Sequence, residues 1–182
     1  MFHRFQIGAM HATIVSDGPL VLPGAARIFK GPDAAAMNAA LDAAGQATDK
    51  VHVEQNCLLL ETAGKRVLFD NGMGSEKLYG SDSGRLLDNL RAAGVAPSEI
   101  DAMVLTHAHS DHCWGTMGDD GAPNFPNAIL YLSQAELDFW SSAAEERRMA
   151  RSIAGFRKHI LPLLEPRHSD FDRLTVSRLQ RG

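Results

Sequence analysis

The chain has 182 residues, 45 % hydrophobic and 22 % charged, which is the balance of an ordinary globular protein with one core-forming domain. A formal net charge of −4, from 18 basic and 22 acidic residues, argues against a nucleic-acid surface, which would show a basic patch. No run of apolar residues is long enough to cross a membrane, no leader pattern opens the chain, and two cysteines, Cys57 and Cys113, make no disulfide framework, so a cytoplasmic protein is expected.

In chain order, ATIVSDG (12–18) reads as a strand running into a turn. GPDAAAMNAALDAAG (31–45) reads as an Ala-rich helix, with Asp33 as its N-cap and Gly45 beyond its end. NCLLLET (56–62) and RVLFDNG (66–72), joined by Ala63-Gly64-Lys65, read as a β-hairpin of short apolar strands. A Gly/Ser-rich loop follows over 72–84, and then a helix over 84–94 with Leu86, Leu87, Leu90 and Ala93 at helical spacing. EIDAMVLTH (99–107) is a strand, and AILYLS (128–133) another. Ser133 and Glu136 form a capping-box pattern for a helix to roughly Arg148, with Leu137 and Trp140 facing inward. A further helix ends near Leu164. The mixture of hairpin strands and strand–helix–strand units is α/β.

Where the strand over 99–107 ends, THAHSDHCWG packs three histidines and an aspartate between His107 and His112. His107 and His109 are two residues apart, so in extended backbone both imidazoles project to one side and can converge on one metal ion. On a helix they would diverge. Asp111 and His112 fall where the chain must turn, and a tight turn can aim both at a second point nearby. Imidazole with carboxylate suits zinc, and also iron or manganese. A lone histidine beside a strand is usually a core or surface residue, but this density at this spacing points to metal ligation.

THAHSDH resembles the H-x-H-x-D-H signature of the metallo-β-lactamase-fold hydrolases. The resemblance extends to NCLLLETAGKRVLFDNG, to EIDAMVLTHAHSDHCWG, and to FPNAILYLSQAELDFW (125–140), the last similar to the branch that contains methyl parathion hydrolase and several lactonases. It covers roughly residues 5 to 165 and implies an αββα sandwich, present here over its first half to two-thirds, as a single domain over 1–182 with an atypical tail at 166–182. It implies His107 and His109 as ligands of a first metal, and Asp111 and His112 as ligands of a second. Asp111 would also orient a hydroxide and accept a proton, and Asp70 would brace the ligand loop through hydrogen bonds, although a turn cap after a strand would account for it as well. The expected cofactor is Zn²⁺ in two sites, with Mn²⁺ or Fe²⁺ as alternatives.

The resemblance also implies three downstream ligands, one in a Gly-His-Thr-x-Gly-His segment. After His112 the chain has only His159 and His168, and neither stands in such a segment. His168, Asp170 and Asp172 could chelate a metal if extended, but a polar tail is the simpler reading. A chain lacking the second half of the sandwich is expected to leave apolar sheet surface exposed and to self-associate. Cys113 is expected to pack as a small apolar residue. Trp114 is expected near the pocket and Trp140 in the core, with Met117 and Phe125 as further pocket candidates; His3, His11 and His52 have no ligand-like spacing. The functional expectation is a metal-dependent hydrolase of a small ester, lactone or phosphotriester. The alternatives are a non-catalytic remnant of such an enzyme and an iron-dependent redox member of the superfamily.

Overall fold

Six strands form one sheet in sequence order: β1 (Phe2–Ile7), β2 (Met10–Pro23), β3 (Lys50–Thr62), β4 (Lys65–Phe69), β5 (Ala102–Val104) and β6 (Ile129–Tyr131). The computed structural model describes residues 1–31 and 33–164. The tail at 166–182, with His168, Asp170 and Asp172, lies outside the described residues. Strands β1 to β4 pair antiparallel, whereas β4, β5 and β6 run parallel. The helices are α1 (Ala25–Ile28), α2 (Ala34–Ala43), α3 (Leu86–Ala92), α4 (Ser110–Cys113), α5 (Gln134–Trp140), α6 (Ala143–His159) and α7 (Leu161–Leu164). Among the described residues no helix is long and apolar enough to cross a membrane.

The hairpin expected from the sequence forms, with Thr62 paired to Lys65 across a two-residue turn. Both turn residues have positive φ, 49° at Ala63 and 72° at Gly64, as the mirror-image turns favoured by twisted hairpins require. Asp33 caps α2 through a hydrogen bond from the Ala36 N–H. Strand β1 was not expected. Its sequence, FHRFQI, puts apolar and polar residues together on each side and all six residues are exposed. It is held by its pairing to β2.

Two elements differ from expectation. The strand expected over 99–107 pairs only over Ala102–Val104, because Pro97 opens a 3₁₀ turn before it. Beyond β5 the Leu105 N–H still bonds to the Tyr131 carbonyl at 3.0 Å, and the chain bends at Thr106 into the histidine segment. The helix expected from Ser133 to about Arg148 is two helices. Ser133 caps α5, and Ser142 starts α6 by accepting the Ala144 N–H. A second cap nine residues on outweighs continued helical periodicity.

The two faces of the sheet differ. On one, Cys57, Leu59, Leu68, Met103 and Leu130 are fully buried under Leu86, Leu90, Trp140, Ile153 and Phe156 from the helices. On the other, Leu58, Leu60, Val67, Phe69, Ala102, Val104, Ile129 and Tyr131 line up in register across four strands, and each is only half-buried. Strands that are apolar on both sides thus have one side closed by helices and one side that the described residues leave half-buried. The histidine segment sits at the edge of the sheet, at the C-terminal ends of the parallel strands.

Candidate metal centre

His109 (φ −66°, ψ 156°) is extended and is the N-cap of the one-turn α4. His107 and His109 lie side by side, with ring centroids 4.8 Å apart at 77°. The turn of α4 then swings His112 back, so that its ring lies 3.9 Å from that of His107. Asp111 Oδ2 stands 3.2 Å from His112 Nε2. The four side chains that the sequence singled out are therefore brought together.

Asp70 holds this arrangement from the end of β4. It has φ 60°, a left-handed conformation that aspartate tolerates better than most residues. That turn aims its carboxylate across to the ligand loop. Asp70 Oδ1 accepts the Thr106 N–H at 2.8 Å, and Oδ2 accepts the Thr106 hydroxyl at 2.8 Å. Oδ2 also lies 2.8 Å from His112 Nδ1. Since a carboxylate only accepts, Nδ1 carries a proton toward Asp70, and so does Nε2 where it donates to Asp111; a metal ligated by Nε2 would take the place of that second proton. Asp70 is thus a brace rather than a simple turn cap.

Two further braces were not visible in the sequence. The Gln55 side-chain amide on β3 donates to the Asp111 carbonyl at 2.7 Å. Glu136 Oε2 accepts the Ala108 N–H at 2.9 Å, between the two histidines, and the Trp140 indole N–H at 2.8 Å. The capping-box pattern gave the wrong role to Glu136. Ser133 does cap α5, but the glutamate reaches the histidine segment instead of turning back to its own helix.

Trp140 is in the core, as expected, and also meets His109 edge-on at 5.2 Å, while Trp114, expected near the pocket, is buried against Gly155 and stacks on His159 at 5.5 Å. Met117 and Phe125 are core residues, and so is Cys113, whose thiol burial pushes up. His159 is buried in that stack, away from the cluster, with no hydrogen-bond partner for either ring nitrogen among the described residues.

Charge in the cluster is shared unevenly. Burial alone would lower the His112 pKa, but its hydrogen bonds to Asp111 and Asp70 push it up to about 9. Burial would raise Asp111, but the His112 hydrogen bond and charge carry it below its ordinary value. His107 is lowered by burial and by the neighbouring His112 and His109. Beside these groups lies a cavity of about 290 Å³ lined by Leu20, Val53, Gln55, Asp70, Asp111 and His112 among others.

Three imidazoles and a carboxylate are a donor set for a divalent transition metal, and a histidine whose other nitrogen is bound to a carboxylate is the usual form of a metal-bound histidine. Two donors on one tetrahedral zinc stand about 3.3 Å apart, close to the 3.2 Å between Asp111 Oδ2 and His112 Nε2. In type and in this pairwise spacing the residues fit the group. Among the described residues no group of three or more such side chains is disposed to hold an ion as it stands. The closest rings are those of His107 and His112, with His109 beside His107 and Asp111 beside His112.

The chain is similar to several known proteins. A curated ribonuclease Z from Salinibacter ruber is 35 % identical over 71 residues, 39 % of this chain and 18 % of that protein. One from Bradyrhizobium diazoefficiens is 38 % identical over 61 residues, 34 % of this chain and 17 % of that protein. Among solved structures, AidC, a dizinc quorum-quenching lactonase in complex with its product, superposes with a TM-score of 0.83 at 26 % identity, over 100 % of this chain and 62 % of that one. The hydrolase AbOPH of the beta lactamase superfamily gives 0.78 at 26 %, over 90 % and 57 %. The chain thus spans less than two thirds of the length of these relatives. The profile of the metallo-beta-lactamase superfamily matches residues 52–152, a stretch that holds Asp70, the histidine cluster and Glu136, and the chain belongs to that superfamily.

Proposed function

We propose that the chain carries the metal-binding part of a hydrolase acting on a small ester, lactone or phosphotriester. The observation that carries this reading is the convergence of His107, His109, Asp111 and His112 with the Asp70 carboxylate on His112 Nδ1. A divalent ion, Zn²⁺ first and Mn²⁺ or Fe²⁺ as alternatives, supplies when bound a nucleophile from water at neutral pH and polarises the substrate oxygen. His107 and His109 would hold the first position, and Asp111 with His112 the second. Asp70 keeps His112 Nε2 pointed into the site. The Asp111 carboxylate would orient the water and accept its proton. The adjoining cavity takes the substrate, with Leu20 and Val53 as its apolar wall. The similarity to a lactonase structure supports the choice of bond, and a net charge of −4 favours a small molecule over RNA.

The reading is tested with the metal-free protein. Zn²⁺ titration should give saturable binding, and His109→Ala should weaken it sharply because His109 is the partner of His107. The zinc-loaded protein should then hydrolyse p-nitrophenyl esters, lactones or phosphotriesters. A protein that binds no zinc sinks the reading. A second reading, a chain that folds without turnover, is favoured by one observation: among the described residues no three such side chains are disposed to hold an ion as they stand. Saturable zinc binding with no hydrolysis of any of the three substrate classes would select it. Iron-dependent redox chemistry would show instead as iron in the purified protein.

A further inference from the structure

Asp17 lies outside the histidine motif and makes no contact with its side chains. It is fully buried where β2 bulges between Ser16 and Gly18. Its carboxylate accepts three backbone N–H groups, from Met73 at 2.8 Å, Gly84 at 3.2 Å and Leu86 at 2.9 Å. Burial pushes its pKa up, against the pull of those donors and of Lys77. Gly72 lies directly on it. A Cβ at that position would stand 2.2 Å from the Asp17 carboxyl carbon, so only glycine lets the chain come so close.

From Gly72 the path to the cluster is short. The Gly72 carbonyl accepts the Gly115 N–H at 3.0 Å, and the Asn71 N–H donates to the His112 carbonyl at 2.9 Å. Asp70, the next residue back, holds the His112 ring. Residues 70–73 are thus a wedge with the Asp17 carboxylate on one side and the ligand loop on the other. We propose that Asp17 is a positioning residue for His112. It fixes Gly72 and Met73, which sets where the Asp70 carboxylate meets Nδ1. The competing account is that Asp17 only staples the 73–86 loop to β2, leaving Asp70 to orient His112 unaided. The proposal rests on the hydrolase reading only where metal affinity is the readout.

The test compares Asp17→Asn with Asn89→Ala. The first keeps the shape but turns one acceptor oxygen into an amide that faces N–H donors. The second removes the 2.7 Å bond from Asn89 to the Ser16 carbonyl, which ties α3 to the same stretch of β2 without touching Gly72. Both are studied at a temperature where they are folded. In the metal-free protein, the His112 Nδ1–H should give a downfield, slowly exchanging nitrogen-15-coupled proton signal. That signal should persist in Asn89→Ala and be lost in Asp17→Asn. Affinity for Zn²⁺ should fall about tenfold or more in Asp17→Asn, as for loss of other supports behind a ligand, and stay unchanged in Asn89→Ala. If the wild type gives the imidazole signal but binds no zinc, the hydrolase reading fails and the imidazole signal alone decides on Asp17. The proposal is overturned if Asp17→Asn keeps the wild-type signal, if Asn89→Ala loses it equally, or if the wild type never shows it. Should Asp17→Asn not fold, Asp17→Ser, which keeps one acceptor, takes its place with the same readouts and outcomes.

Discussion

Glu136 shows how much a single side chain can do beside a ligand set. One carboxylate oxygen fixes the peptide between His107 and His109 and, through the indole of Trp140, the surface against which His109 rests. Glu136→Ala is therefore expected to weaken Zn²⁺ binding about tenfold or more, measured by competition with a chromophoric chelator, while Glu136→Gln keeps an acceptor and loses less. His159 poses a different residue-scale question. Burial lowers its pKa below 6.5, opposed by Glu76 and Asp119 and reinforced by Lys158. The unfolded chain then binds a proton that the folded chain refuses. Stability from this group is complete above about pH 6.5 and is lost as pH falls from there through the folded pKa. Melting temperature against pH should show that decline, and His159→Phe, which keeps the stack on Trp114, should flatten it. At this scale the histidine motif was legible because its chemistry is local: six consecutive positions carry all four donors. The roles of Glu136 and Gln55 were not legible, since each acts through a contact between distant parts of the chain that no local spacing encodes.

Elements were legible where one local rule had no rival. The β3–β4 hairpin follows from two apolar runs and a two-residue turn, and α2 from an Asp cap ahead of an alanine run. The α5–α6 break was missed because both sides continue the same periodicity and only Ser142 marks the restart. Strand β1 was missed because no side of it is apolar throughout, and its pairing with β2 is what makes it a strand. The hairpin turn supports a prediction of its own. Ala63 sits at φ 49°, where an alanine Cβ is strained and asparagine is at ease. Ala63→Asn should raise stability by about 0.5–1 kcal/mol, read as a higher denaturant midpoint with an unchanged slope.

For the molecule as a whole, the open side of the sheet is the feature with the widest reach. Leu58, Leu60, Val67, Phe69 and Val104 form an apolar band, with Lys65 at its end on β4. Self-association through this band is the outcome we expect as concentration rises, with the average mass from light scattering increasing and an apolar dye bound at low concentration being released. Phe69→Lys on that band should abolish the mass increase without lowering zinc affinity. A monodisperse monomer that binds no dye would contradict the expectation.

The bracing of the ligand loop also sets the order in which the molecule can be made. The four donors emerge within six residues of each other, but Asp70 is 42 residues from His112 and Asp17 is 69 from Leu86. Closing such loops must precede any benefit from them, and contacts of this separation slow folding. On the proposed metal-binding role, an ion meeting the nascent histidines would find donors without their supports. Orientation of His112 would then be a late step in folding, and the cluster would receive its ion as a finished receptacle rather than being assembled around it.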